Sequence, residues 1–331
     1  FAVHLQSVWN ILHGSIHCSI LDIEFLGNHA SFILFLIAPF YFIFEHPLTL
    51  LFLQTFFLGI AAYPLYLISK EEINKRVACI ISLTYLIYPA LWYVNLYELH
   101  PPAFAVPFLI YTFYYFQKNN INKFTIFMVL TLLCQENFPL LIVPFGIYAL
   151  ILKRKIKWIL IPILVGIGWF LFVVVKIIPH YNKETITFIK LYDHLGSSLP
   201  DIVAFIITHP LRIIKLIFTG EKITYLIQLF VPISFLSLFD GRILLASLAF
   251  LQHLLSNRNN EYVLQYHYTA DMIPFIFISA IYGLKRILNA SFFKKEFYQK
   301  ALLLLVVLIA VLANMCLVSR GLMRSSFAFK K

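Results

Sequence analysis

The chain is built from apolar runs, most of them close to the ~20 residues a helix needs to cross a bilayer core, separated by connectors of two alternating kinds. Ten runs read as spans: Pro47 to Ser69, Val77 to Tyr97, Pro101 to Phe116, Phe124 to Cys134, Phe138 to Leu152, Trp158 to Ile178, Ile223 to Phe239, Ile243 to Leu255, Tyr268 to Leu284 and Ala301 to Val318. Backbone amides inside hydrocarbon must be satisfied within their own segment, so such runs predict helices. Only 12% of the 331 residues are charged and 61% are hydrophobic, which excludes a soluble globule and a disordered chain. The expected fold is an all-α, polytopic transmembrane helix bundle of about ten spans, with interfacial helices in the outer loops.

Lys and Arg collect on cytoplasmic connectors. One set of connectors holds Lys70, Lys75, Arg76, Lys118, Lys123, Lys153, Arg154, Lys155, Lys157, Arg242, Lys285, Arg286, Lys294, Lys295 and Lys300, against only Glu71, Glu72, Asp240 and Glu296. The net charge of +11 is therefore read as a positive-inside signal. No aromatic-basic module accompanies it, so no nucleic-acid partner is expected. The expected location is the plasma membrane, multi-pass, with basic loops cytoplasmic and His-rich loops outside.

All 11 histidines then fall in outer loops or near outer helix ends, and none on a cytoplasmic connector. Titratable groups that gather on one face tend to mark sites. Residues 1–46 are expected to form a first outer loop, in which Ala30 to Phe44 is too short to span and reads as an interfacial helix. Residues 47–288 form the bundle, including an outer loop at 179–222 whose turn, Leu195 to Asp201, precedes two short amphipathic runs. Residues 289–331 supply a cytoplasmic linker, the last span and a tail. Phe1 is expected to follow a missing start. The four cysteines, Cys18, Cys79, Cys134 and Cys316, have no metal or redox spacing and read as small hydrophobes.

Four clusters carry the candidate chemistry. Glu98-Leu99-His100-Pro101-Pro102 puts a carboxylate and an imidazole where prolines stop the helix, a pair able to hold a divalent cation or relay a proton. Gln135-Glu136-Asn137 sits between two short apolar runs, and an acid there is costly unless it lines a wet cavity. Asp22, Glu24, Asn28 and His29 bring two acids and a His into the first loop. Tyr266-His267-Tyr268, preceded by Arg258 and Glu261, suits a headgroup or sugar platform. P-loop, Rossmann, HExxH and GxSxG signatures are absent from the sequence.

The run Asn28 to Leu34, then Ala38-Pro39-Phe40-Tyr41, Pro64-Leu65-Tyr66, Glu98-Leu99-His100-Pro101, Gln135-Glu136-Asn137 and Tyr266-His267-Tyr268 with Pro274-Phe275, resembles a family of predicted membrane proteins called domain of unknown function 2079. That family in turn is similar to the GT-C membrane glycosyltransferases, which take sugars from polyprenyl-phosphate donors at the outer membrane face. The resemblance implies a GT-C-like bundle, lipid and polyprenyl-phosphate-sugar partners, and a divalent cation, Mg or Mn, with Glu98 and His100 as its candidate ligands. It implies Glu98, Glu136, Asp22 or Glu24 as the catalytic acid, and His100, His267, Tyr266, Arg258, His29 and Gln6 around the substrate. Family members carry an acid shortly before the residue matching Gln6; here His4 and Phe1 stand there, so the matching Asp is expected before Phe1. At Gln135 and Asn137 the family's flanking charges are replaced. The rival expectations are a transporter or lipid flippase, and a non-catalytic assembly protein.

Overall fold

A computed structural model describes residues 1–182 and 187–328. It is helical almost throughout. The strands among the described residues are one antiparallel pair, His17–Cys18 with Ile23–Glu24, in which His17 faces Glu24, a small departure from the all-α expectation.

Proline and asparagine set the helix starts. Pro47, Pro89, Pro102, Pro139 and Pro210 each open a helix, where their missing N–H is harmless. The Asn74 and Asn120 side chains accept from the N–H groups of Val77 (3.0 Å) and Lys123 (3.1 Å), capping the helices that follow. Asn119 and Lys153 take positive φ in the short turns after Pro102–Gln117 and Pro139–Ile151. These turns fold the chain back into two antiparallel helix pairs.

Three helices are long and apolar enough to cross a membrane: Pro47–Glu72, Ile156–Tyr181 and Glu296–Val318. Two bent pairs raise the number to five if each counts as one span: Lys75–Leu86 with Pro89–Tyr97, bent by 43°, and Pro210–Ile217 with Gly220–Ile233, bent by 69°. Ten crossings are more than these lengths show. Pro139–Ile151 has 13 residues, about 20 Å of helix against a core of about 30 Å. Hydropathy registers apolar residues whether or not the helix stays continuous, and prolines break several of these runs.

The three long helices bury only 28 to 33% of their most apolar windows, as expected where lipid covers the remainder. Pro102–Gln117 and Ile273–Asn289 are instead buried on nearly every side and form the centre of the bundle. At the first bend, the Ile87 carbonyl accepts from Asn314 Nδ2 at 2.6 Å, which satisfies a group freed by the break. Gly283 lets the central helix lie against the turn Leu236–Phe239: a Cβ there would come within 2.0 Å of the Leu236 oxygen. Ser279 Oγ then bonds the Ser237 and Asp240 carbonyls, both at 2.8 Å.

The connectors sort to two ends. At the basic end, Glu71 pairs with Lys118, Glu72 with Lys285, and Asp240 with Arg242 and Arg286. Residues 1–29, 97–100, 135–137 and 253–271 contribute to the His-rich end. All four cysteines are free thiols.

Candidate functional site

Glu136 lies in the turn between Ile121–Leu132 and Pro139–Ile151. The first loop is pinned to this turn by the Ile33 N–H, which donates to the Leu133 carbonyl at 2.8 Å. His29 thereby reaches Glu136. Its Nδ1 lies 2.7 Å from Oε1, and the Ala30 N–H donates to Oε2 at 3.1 Å. The Glu136 side chain is 7% exposed and that of His29 41%, so the carboxylate is sunk while the ring keeps an open edge. Burial opposes both charges, but the ion pair and its hydrogen bond outweigh it: His29 titrates above its ordinary value and Glu136 below. With Nδ1 committed to the carboxylate, Nε2 is the free nitrogen.

Beside this dyad stand three neutral imidazoles. His100 and His267 stack face to face, with ring centroids 3.6 Å apart and planes 12° from parallel. His4 meets His100 edge-on at 5.5 Å. Burial lowers all three, His4 to about 3, His100 to about 4 and His267 to about 2, and His100 adds to the lowering of His4 and His267. His29 contributes to the lowering of all three, so the dyad and the trio share one electrostatic neighbourhood. Nδ1 of His100 and Nδ1 of His267 are buried without a hydrogen-bond partner. Tyr97 stacks on His267 at 5.5 Å and meets Tyr266 edge-on at 5.0 Å. Arg258 donates from Nη1 to the Tyr268 hydroxyl at 3.1 Å, and its charge reaches His29.

Two supports escaped the sequence reading. Gln54, fully buried inside Pro47–Ile60, accepts from the His100 N–H at 2.8 Å and donates to the Glu98 carbonyl at 2.9 Å. It fixes the backbone that carries His100. A lone Gln inside an apolar run was the available signal. His253 is held between Asp271 (Nε2 to Oδ2, 2.9 Å) and Glu261 (Nδ1 to Oε2, 3.2 Å), and all three side chains are at most 5% exposed. This triad braces the segment that presents Arg258, Tyr266 and His267.

The sequence candidates therefore separate. His29, Glu136, His100, His267, Tyr266 and Arg258 come together. Glu98 is half exposed, and its backbone carbonyl is the group that Gln54 holds. Gln6 is occupied elsewhere: Nε2 donates to Ser19 Oγ at 2.6 Å, while Oε1 accepts from Cys18 Sγ and the Ile20 N–H. Asp22 and Glu24 lie on the small hairpin. Among the described residues, neither forms a hydrogen bond or ion pair with the dyad. Glu98 and His100 offer one carboxylate and one imidazole, and among the described residues no group of three or more His, Cys, Asp or Glu is placed to hold a metal ion.

Residues 1–327 match the family described as Predicted membrane protein (DUF2079). The chain belongs to this family. No curated protein and no solved structure matches it. Within this family member, the motif residues that converge are those of the dyad and the stack, drawn from loops far apart in the chain.

Proposed function

We propose that this membrane protein is a GT-C-like glycosyltransferase that moves a sugar from a polyprenyl-phosphate donor to an acceptor hydroxyl. The single observation that supports this reading most is the His29–Glu136 dyad, with its open imidazole edge beside Arg258 and the neutral histidines. Among the four clustered imidazoles, His29 alone has raised basicity, which suits a general base. In the proposed step the acceptor oxygen attacks the anomeric carbon, and its proton passes to Nε2 of the His29 ring in its neutral form, with Nδ1–H still donating to Glu136. The carbon–oxygen bond to phosphate breaks as the new bond forms, and polyprenyl phosphate leaves with the electron pair. Glu136 holds the ring and balances its charge, as a carboxylate does behind a catalytic histidine. Arg258 faces the leaving phosphate. The aromatic rings of Tyr97, Tyr266 and Tyr268 form the sugar platform.

In this reading the bundle makes about ten crossings of the plasma membrane, some by short or bent helices. Basic loops face the cytoplasm, the His-rich end faces out, and lipids cover the exposed flanks. The test is release of polyprenyl phosphate by purified protein given polyprenyl-phosphate sugar and mixed acceptors. Release supports the reading; none, with intact protein and varied sugars, overturns it. The two bent helix pairs favour a second reading, a transporter or flippase, since broken helices build transport sites. It predicts movement of the lipid-linked sugar across vesicles without any release of lipid phosphate.

A further inference from the structure

At the opposite end of the bundle lies a cavity of about 330 Å³ whose walls include Glu72, Asp240, Arg242, Tyr282, Lys285 and Arg286. Its hydrogen-bonding capacity is unbalanced. Asp240 is saturated, and each Glu72 oxygen is engaged. Asp240 Oδ1 accepts from the Arg242 N–H (3.0 Å) and Nη1 (2.9 Å), while Oδ2 accepts from Arg242 Nη1 (2.9 Å) and Arg286 Nη2 (3.0 Å). Glu72 Oε1 accepts from the Tyr282 hydroxyl (2.9 Å) and Oε2 from Lys285 Nζ (2.8 Å). The cations are not saturated. A guanidinium carries five N–H donors and an ammonium three, so most donors on Arg286 and Lys285 stay open after these bonds. Arg242 Nε is buried without a partner. The lining also holds three cations against two carboxylates, an excess of one positive charge.

The side chains are placed rather than loose. The Arg242 guanidinium lies 3.4 Å over the Tyr282 ring, and the Asp240 side chain, 1% exposed, fixes both arginines from behind. The Arg286 and Lys285 side chains are 66% and 41% exposed, so an anion could reach them without opening the bundle. An oxygen-rich anion on this floor would meet a fork of donors, the geometry in which arginine best recognises phosphate.

We infer that this cavity is a binding site for a phosphate group, separate from the His-rich site and independent of the transferase reading. Two sources share that chemistry: the headgroup of an anionic phospholipid, for which basic pockets between membrane helices are suited, and a free phosphate. The test uses the full chain purified in neutral detergent. Native mass spectrometry after exposure to mixed phosphatidylglycerol and phosphatidylcholine vesicles scores the lipid source, and calorimetric titration with inorganic phosphate scores the free source. The expected result is preferential retention of phosphatidylglycerol, weakened about tenfold in Arg286→Gln and again in Lys285→Gln, as loss of a charge-assisted hydrogen bond predicts. Inorganic phosphate binding with the same losses and no lipid preference would support the site with a soluble source. Absence of binding by both probes, or binding unchanged in both variants, would overturn it. Arg286 is largely exposed, so its variant is expected to fold.

Discussion

At the basic end, Asp240 and Glu72 are each held through both oxygens by cations and a tyrosine; at the His-rich end, Glu136 holds one imidazole while three neighbouring imidazoles stay neutral and two ring nitrogens go unbonded. The carboxylates of the first end are tied into fixed ion pairs and brace the bundle. At the second, Glu261 and Asp271 likewise brace through His253, whereas Glu136 leaves a group of tuned basicity near an opening. A buried charge with all its partners in place is structural, whereas converging groups with shifted titration and unfilled bonds are the arrangement expected of chemistry.

Replacing the brace should give the largest change in stability. Asp240→Ala strips both arginines of their acceptor and removes the contact to the Arg242 N–H, and should lower stability by about 3 kcal/mol, read as a fall in Tm in detergent. Glu136→Ala orphans the Ala30 N–H and the His29 ring and should lower it by about 2 kcal/mol. If Glu136→Ala proves the more damaging of the two, the contrast between the ends is broken.

Acid should separate the ends next. His4, His100 and His267 titrate near 3, 4 and 2 in the fold but near 6.5 when unfolded. Their contribution to stability is therefore complete above about 6.5 and is lost as pH falls toward 4, because the unfolded chain binds the protons first. Glu136, lowered, loses its contribution in the same direction, below its ordinary 4.5. His29, raised, works the other way: its contribution is present below 6.5 and fades as pH rises through its folded value. Tm should fall between pH 6.5 and 4.5 in the parent, and the fall should flatten in a His100→Phe, His267→Phe double variant. A parent Tm indifferent to pH over that range would contradict the neutral trio. The smallest effect belongs to Lys118, whose pair with Glu71 is 44% and 42% exposed: Lys118→Gln should change stability by less than about 1 kcal/mol, and salt should mask it.

Helices were readable in the sequence because proline, asparagine caps and apolar runs are local signals; the expected Pro101 to Phe116 and Phe138 to Leu152 return as Pro102–Gln117 and Pro139–Ile151. Segregation of basic and His-bearing connectors was readable for the same reason. Helix continuity was harder to read, since a break such as Leu86 to Pro89 leaves hydropathy untouched. The site was legible residue by residue and not as an assembly. Glu136, His29, His100 and His267 each stood out, yet the stack joins residues 100 and 267 and the dyad residues 29 and 136, pairings that only folding specifies. Asp22 and Glu24 drew notice as acids in a loop, but the hairpin carrying them depends on contacts of Gln6 that no spacing announces.

The most direct test of the working dyad is polyprenyl-phosphate release by Glu136→Gln, measured beside Asp240→Asn and the parent at matched amounts of folded protein. Loss of the carboxylate behind the base should slow release at least about 100-fold, while Asp240→Asn, once matched for folded protein, keeps the parent rate. Parent-like release by Glu136→Gln would contradict the dyad, and equal slowing by both variants would contradict the division of roles between the two ends.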